Sequence, residues 1–292
     1  MTFPTVLLPL VAALVLTVAV TTVHRRLPPV FAAQVVTATV VVVVAAAVPT
    51  TWILSLAFLA HLPVIGTGFG WCAEAIGVHH AHIPTWVGLP SLIASTIGSI
   101  RMIGAVRTFR RLRHDGNGGI EIATNPQPFA FTLPGRGGHV VVSTGLLGLL
   151  DNDEQGVVLA HEHAHARYRH DRYLLTARLC VTAIPVLRPL ARRLQFSLER
   201  WADEAAVEIC GDRGFVARTL AKVALHGAHP VGALGFTGLG VPARVGALLA
   251  PPVDVPRRAT LLSIWVSIAA SGVFAVIQLH HLVTLVTALC PG

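Results

Sequence analysis

His161, Glu162 and His165 stand in the spacing His-Glu-x-x-His, inside Leu159-Ala-His161-Glu162-His163-Ala164-His165. On a helix, residues four apart stack on one face, with about 5–6 Å between their Cβ atoms. Two imidazoles so placed can grip one zinc ion, at about 2.0–2.1 Å each. Glu162 sits one step round the helix. It is near enough to take a proton from a water that the ion activates, and it is not aimed at the ion itself. His163 points away from that face.

Such a centre needs a third protein ligand and one position open to water. Two carboxylates compete for the role. Asp171 lies six residues after His165, the spacing of the HExxHxxGxxD zinc peptidases. In that pattern a glycine turns the chain back to the metal, but Tyr168 stands there in this chain. A residue with a Cβ tolerates the required backbone poorly. Glu199 is the better candidate. It belongs to Glu199-Arg-Trp-Ala-Asp203, which places Asp203 on the same helical face one turn later. Glu199 can bind the metal while Asp203 accepts the free N–H of a ligand histidine. Ala202 and Ala206 are small enough for two helices to approach closely. Tyr168, Arg200, His226 and His229 are all candidate donors to a transition state, and the sequence does not choose among them.

These residues must be carried by defined elements. Asp151-Asn-Asp-Glu154 reads as a capping box with acid in the first turn, so the His-Glu helix is predicted over about 152–168. The Glu199 helix is predicted over about 194–210. Ahead of them, three strand-like runs (Ile120–Ala123, Phe129–Leu133 and His139–Ser143) are separated by Gly, Pro and Asn, which predicts a small meander. Thr144–Leu150 reads as a short apolar helix or turn. Leu174–Leu190 is apolar but contains Pro185 and Pro189, and reads as a membrane-associated hairpin.

The rest of the chain is apolar. Of 292 residues, 53% are hydrophobic and 12% charged, about half the charge of a soluble globular protein. Before Asp115 the only acidic residue is Glu74, and Lys222 is the only lysine. This excludes a disordered or ordinary cytosolic protein. The four cysteines lack paired spacing, which excludes a disulfide scaffold. The arginines cluster beside apolar spans, as at a membrane face, with no aromatic-interleaved basic patch, so no nucleic-acid partner is expected.

Apolar stretches of bilayer length occupy about 4–23, 30–69, 84–106 and 259–286. The second is broken by Pro49 and Pro63, and one broken span or two would fit it. The first lacks a basic leader, so a cleaved signal peptide is not expected. The positive-inside rule places Arg25-Arg26, the Arg107–Arg113 cluster and Arg257-Arg258 in the cytoplasm, and the Lys- and Arg-free stretch Trp71–Thr85 outside. Four net crossings satisfy all of these. The expected organisation is an N-terminal transmembrane region over 1–113, a cytoplasmic domain over 114–258 and a C-terminal span over 259–292.

His161–His165 followed by Glu199-Arg-Trp-Ala-Asp203 resembles the BlaR/MecR-type membrane zinc metallopeptidases. It is also similar to HtpX-like and prenyl-protein membrane peptidases. The stretch Val140-Val-Val-Ser-Thr-Gly-Leu-Leu-Gly-Leu-Leu-Asp-Asn-Asp-Glu-Gln before the motif strengthens the BlaR-type likeness, which covers about 119–258. It implies a mainly α integral membrane protein of about four transmembrane helices, with a zincin-like α+β metallopeptidase domain inserted before the last span. It implies Zn2+ on His161, His165 and Glu199, Glu162 as base and Asp203 behind the ligands. The antibiotic-sensing members carry a penicillin-binding domain after the last span, and no such sensor is expected here. The activity implied is endoproteolysis of a cytoplasmic protein, such as a transcriptional repressor, in a signalling relay. A peptide substrate is expected to add as a strand along the edge of His139–Ser143.

Two rival functions are an HtpX-like quality-control protease of the membrane and, outside enzymes, a histidine-rich metal carrier. The carrier would draw on His61, His79, His80, His82, His280 and His281, yet the spans offer no acid for a midplane pathway. Cys72 and Cys290 are both expected outside and could pair. The partners expected are a protein or peptide substrate and the lipid bilayer. Oligomeric state is left open, a homo-oligomer included.

Overall fold

The computed structural model describes residues 3–60, 83–112, 119–134, 138–226, 240–253 and 258–289. The elements run α1 (Phe3–Val23), a 3-10 turn (His24–Arg26), α2 (Pro29–Ala60), α3 (Thr85–Leu112), β1 (Gly119–Ala123), β2 (Ala130–Leu133), β3 (His139–Ser143) and α4 (Thr144–Leu149). They continue with α5 (Asn152–Arg167), α6 (His170–Ala183), a 3-10 turn (Pro185–Leu187), α7 (Arg188–Cys210), α8 (Arg213–His226), α9 (Val241–Leu249) and α10 (Arg258–Leu289). Residues Pro63, His61, Cys72, His79, His80, His82, the turn at 114–118, His229, Arg257 and Cys290 lie outside the described residues.

Among the described residues, three helices are long and apolar enough to cross a bilayer: α2 over Pro29–Leu59, α3 over Thr85–Arg110 and α10 over Arg258–Thr284. α1 adds a shorter apolar stretch, Leu8–Val23. The expected break at Pro49 does not occur, because α2 runs through it as one helix. The hydroxyls of Thr50 and Thr51 turn back onto the carbonyls of Ala46 (2.7 Å) and Val48 (2.9 Å). Proline is tolerated within such an apolar helix at the loss of one backbone hydrogen bond, here the one to the Ala45 carbonyl. α1, α3 and α10 all pack on α2, and Ser55 of α2 meets Ser95 of α3 at 3.1 Å.

The three strands form one sheet in the order β1-β3-β2, with β1 parallel and β2 antiparallel to β3. It is therefore not the expected meander. β3 carries Val140, Val141 and Val142, all buried, and a strand apolar on both faces belongs in the middle. β1 (Gly-Ile-Glu-Ile-Ala) is exposed along most of its length and forms an edge. The expectation that a peptide adds beside His139–Ser143 fails on the same fact, since both sides of β3 are already paired.

The chain leaves β3 through Ser143, whose hydroxyl accepts from the backbone N–H of Leu146 and caps α4. α5 then opens on the expected capping box. Asp151 accepts from the N–H of Glu154 (2.8 Å), and Glu154 accepts from the N–H of Asp151 (3.0 Å). Leu174–Leu190 runs through α6, the Pro185–Leu187 turn and the start of α7, and the two helices pack on each other. α7 begins at Arg188 rather than 194, because Pro189 falls at a helix N-terminus, where its missing N–H costs nothing.

α7 joins the apolar helices to the polar domain. Leu190, Leu194, Leu198, Ala202 and Ala206 recur every four residues and are all buried. The leucines pack with Leu16, Val20, Val35 and Val36 of α1 and α2. The alanines meet α5, with Ala202 against Ala164 and Ala206 against Ala160. Each buried leucine contributes about 2 kcal/mol, while the alanines give up packing area for a close approach of α5.

Gly138 completes the seating of α5. Its φ is +65°, and a Cβ there would lie 2.2 Å from the Cβ of Ala166. Gly138→Ala should therefore push β3 off α5 and lower the thermal unfolding midpoint of the detergent-solubilised protein, by more than the ~1 kcal/mol of backbone strain alone. An unchanged midpoint would show that this contact is not needed.

Candidate metal centre

α5 and α7 lie side by side, and their facing residues converge. His161 Nε2 and His165 Nε2 are 3.1 Å apart. The Glu199 carboxylate stands 3.6 Å from His161 Nε2 and 3.8 Å from His165 Nε2. Ligand atoms about 2.0–2.1 Å from one ion at tetrahedral angles are about 3.3 Å apart, so the two imidazoles and the carboxylate fit such an ion. These three residues are the group with metal-ligand geometry among the described residues, and all are buried. Asp171, the competing carboxylate, stands on the first turn of α6, 3.8 Å from Arg169, outside this group.

Glu162 is buried beside the cluster. Its Oε2 accepts from the hydroxyl of Thr132 on β2 (2.7 Å), and that hydroxyl is also 3.0 Å from the Glu162 carbonyl. Its Oε1 is buried with no hydrogen-bond partner in the structure. A buried carboxylate oxygen left free beside two imidazoles suits a group whose partner is a reacting water.

Behind the cluster, Asp203 Oδ1 lies 3.1 Å from His161 Nδ1. Asp203 in turn takes a forked pair of hydrogen bonds from Arg244 of α9, at 2.8 and 2.6 Å. A third nitrogen of Arg244 lies 3.0 Å from Glu199 Oε2. Arg244 has no exposed surface. It is held in place by Arg213, which caps the end of α9 through the carbonyls of Leu248 (2.9 Å) and Ala247 (3.2 Å) and pairs with Glu204 of α7.

This arrangement divides the two histidines. Burial alone disfavours the cationic form of His161, but the carboxylates of Asp203 and Glu199 outweigh it and raise its pKa from 6.5 to about 9. For His165 burial prevails over the nearby Glu199 carboxylate, with His161 and Arg244 adding to it, and its pKa falls. Burial also favours protonation of Glu199 and Asp203, yet Arg244 and His161 hold both below the usual carboxylate range. His170, opposite His165 at 2.8 Å between Nδ1 atoms, is pushed down to about 3 by burial and then by His165 and His161.

Thr132, His170 and Arg244 were not singled out from the sequence. Arg244 had a legible signal. It lies on the stripe shared with Val241, Val245 and Leu248, so periodicity alone sets it on the packed face of α9. Of the candidate donors, Tyr168 stacks on Trp201 (4.8 Å), Arg200 is half-buried and His226 is exposed at the end of α8. His163 is exposed, and His280 and His281 lie on α10, far from this cluster in sequence.

Residues 105–191 match Peptidase family M48. That stretch contains His161, Glu162 and His165. A protease HtpX homolog of Aeropyrum pernix is 41% identical over 61 residues, covering 21% of this chain and 18% of its own length. The plastoglobule-localized metallopeptidase 48 of Arabidopsis thaliana is 32% identical over 116 residues, covering 35% of this chain and 34% of its own. The chain thus matches about a fifth and a third of the lengths of these relatives. No solved structure matches it significantly. The likeness to M48 metallopeptidases is thus confined to part of the chain, and the narrower BlaR/MecR likeness is not among these matches.

Two outcomes follow from the geometry of this cluster. In the metal-free protein His161 is protonated below about 9, so its contribution to stability is full below 6.5 and is lost as pH rises from 6.5 through 9. Chelator-treated protein should lose thermal stability across that window, and zinc-loaded protein should not; parallel curves would contradict it. Arg244→Leu should leave Asp203 buried without its partner and cost about 3–5 kcal/mol, seen as a lower unfolding midpoint. Arg244→Lys should recover only part of this, since an ammonium cannot form the fork.

Proposed function

We propose that this protein is a membrane-embedded, zinc-dependent endopeptidase whose centre faces the cytoplasm. The observation that carries the reading is the convergence of His161 Nε2, His165 Nε2 and the Glu199 carboxylate beside the buried Glu162. His161, His165 and Glu199 would hold the ion, and Asp203 would fix the ring of His161. Zinc, when bound, would supply a Lewis acid that lowers the pKa of a water and polarises the scissile carbonyl. Glu162 takes the proton of the attacking water through Oε1 and delivers it to the departing amine, while Thr132 holds Oε2. A peptide lies as an added strand on the outer edge of β2, the strand that carries Thr132. The cytoplasmic orientation is supported by the placement of the arginines beside the spans.

Two substrate classes remain in contention. The likeness to an HtpX homolog favours broad clearance of membrane proteins. The BlaR-like run Val140–Gln155 favours cleavage of one regulator in a relay. Glu162→Gln separates enzyme from metal carrier. The variant should keep one zinc per chain by elemental analysis and lose at least ~100-fold in peptide cleavage. Undiminished cleavage would end the peptidase reading. In cells, the same variant should leave either one soluble regulator or many membrane proteins intact, and that count selects the substrate class.

A further inference from the structure

We infer that His170 is a positioning residue, a neutral hydrogen-bond acceptor that fixes the tautomer and the direction of His165. The inference rests on the metal-centre reading above. His165 and His161 present their Nε2 atoms to each other, so Nε2 is the metal-facing atom of His165. A neutral imidazole that ligates through Nε2 carries its proton on Nδ1. The atom facing that proton is His170 Nδ1, at 2.8 Å. Between two ring nitrogens one must donate and the other accept. His170 therefore accepts on Nδ1 and carries its own proton on Nε2.

The fold holds His170 for this task. It is 1% exposed. Its ring lies 4.9 Å from that of Trp201, which α7 carries between Glu199 and Asp203, and it is flanked by Tyr168 (6.2 Å) and Tyr173 (6.4 Å). It follows Arg169, at φ 55° and ψ 45°, the one non-glycine described residue with positive φ. A side-chain-bearing residue rarely adopts that region and persists there where the surroundings hold it. The strained turn ends α5 and brings the first residue of α6 back against the ring of His165. His170 Nε2 is buried with no hydrogen-bond partner, and a cavity of about 20 Å³ lined by Thr132, His165 and His170 has room for one water.

The two ligand histidines are consequently unequal. His161 is backed by a carboxylate and His165 by an uncharged ring. The neutral partner orients its ligand without adding negative charge, so more of the ion's charge is left to act on substrate.

The test uses the full chain in detergent micelles. His170→Phe keeps a ring in the aromatic box and removes the acceptor. Zinc affinity, read by competition with a chromophoric chelator, should fall about 10–100-fold, and the visible bands of the Co2+-loaded protein should shift. His170→Asn, which offers an amide oxygen, should restore most of both. Wild-type affinity in His170→Phe would overturn the proposal. Should that variant not fold, nitrogen-15 spectra of histidine-labelled, zinc-loaded wild type decide: His170 protonated on Nε2 supports it, and on Nδ1 refutes it. Glu199→Ala distinguishes the two levels. If it loses zinc while His170→Phe keeps it, only the role of His170 falls. If both keep zinc, the metal centre itself is wrong.

Discussion

A guanidinium with no exposed surface lies between two buried carboxylates, and the centre depends on it. Without Arg244, Asp203 and Glu199 would set two negative charges side by side where water cannot screen them. Desolvation would then protonate one or both. With it, both remain charged. Asp203 can orient His161, and Glu199 is available as an anionic ligand. Buried ion pairs seldom add net stability over apolar packing, and removing one partner is what costs. Here the same charges also carry out the site's work, which is a sufficient reason for an arginine in an otherwise apolar stripe.

One helix transmits this arrangement to the membrane. α7 is gripped by α1 and α2 through its leucines and faces α5 through its alanines. Its carboxylates stand on the alanine half, so Glu199, the proposed third ligand, is set by the same rod that is fixed among the apolar helices. Motion of α2 relative to the sheet would act on Glu199 and Asp203 together. It would also reach His165 through α6, which packs on α2 and carries His170.

Parts of this were readable in advance because they are local. The capping box, the His-Glu-x-x-His face and the Glu-x-x-x-Asp face depend on helical periodicity over four residues, and each occurs as its spacing predicts. The sheet was misread as a meander, although Val140, Val141 and Val142 in succession carry the signature of a strand covered on both faces. Pro49 was read as a break by rules drawn from soluble helices. The apolar helix α2 instead continues through it, giving up one backbone hydrogen bond. Thr132 and His170 left no pattern to read, since a hydroxyl on an edge strand and a histidine after a turn are common in any sequence.

Residue order alone determined which side chains share a helix face, and hence the kind of chemistry available: two imidazoles, a neighbouring carboxylate and a distant acidic pair. Only the folded chain decided that the acidic pair meets the imidazoles, that Arg244 closes the charge balance from 41 residues beyond Asp203, and that His161 and His165 have different partners. Helical periodicity is written into a few consecutive residues and survives without context. A contact between distant segments exists only when burial of many other residues brings them together, and no short stretch of sequence encodes that sum.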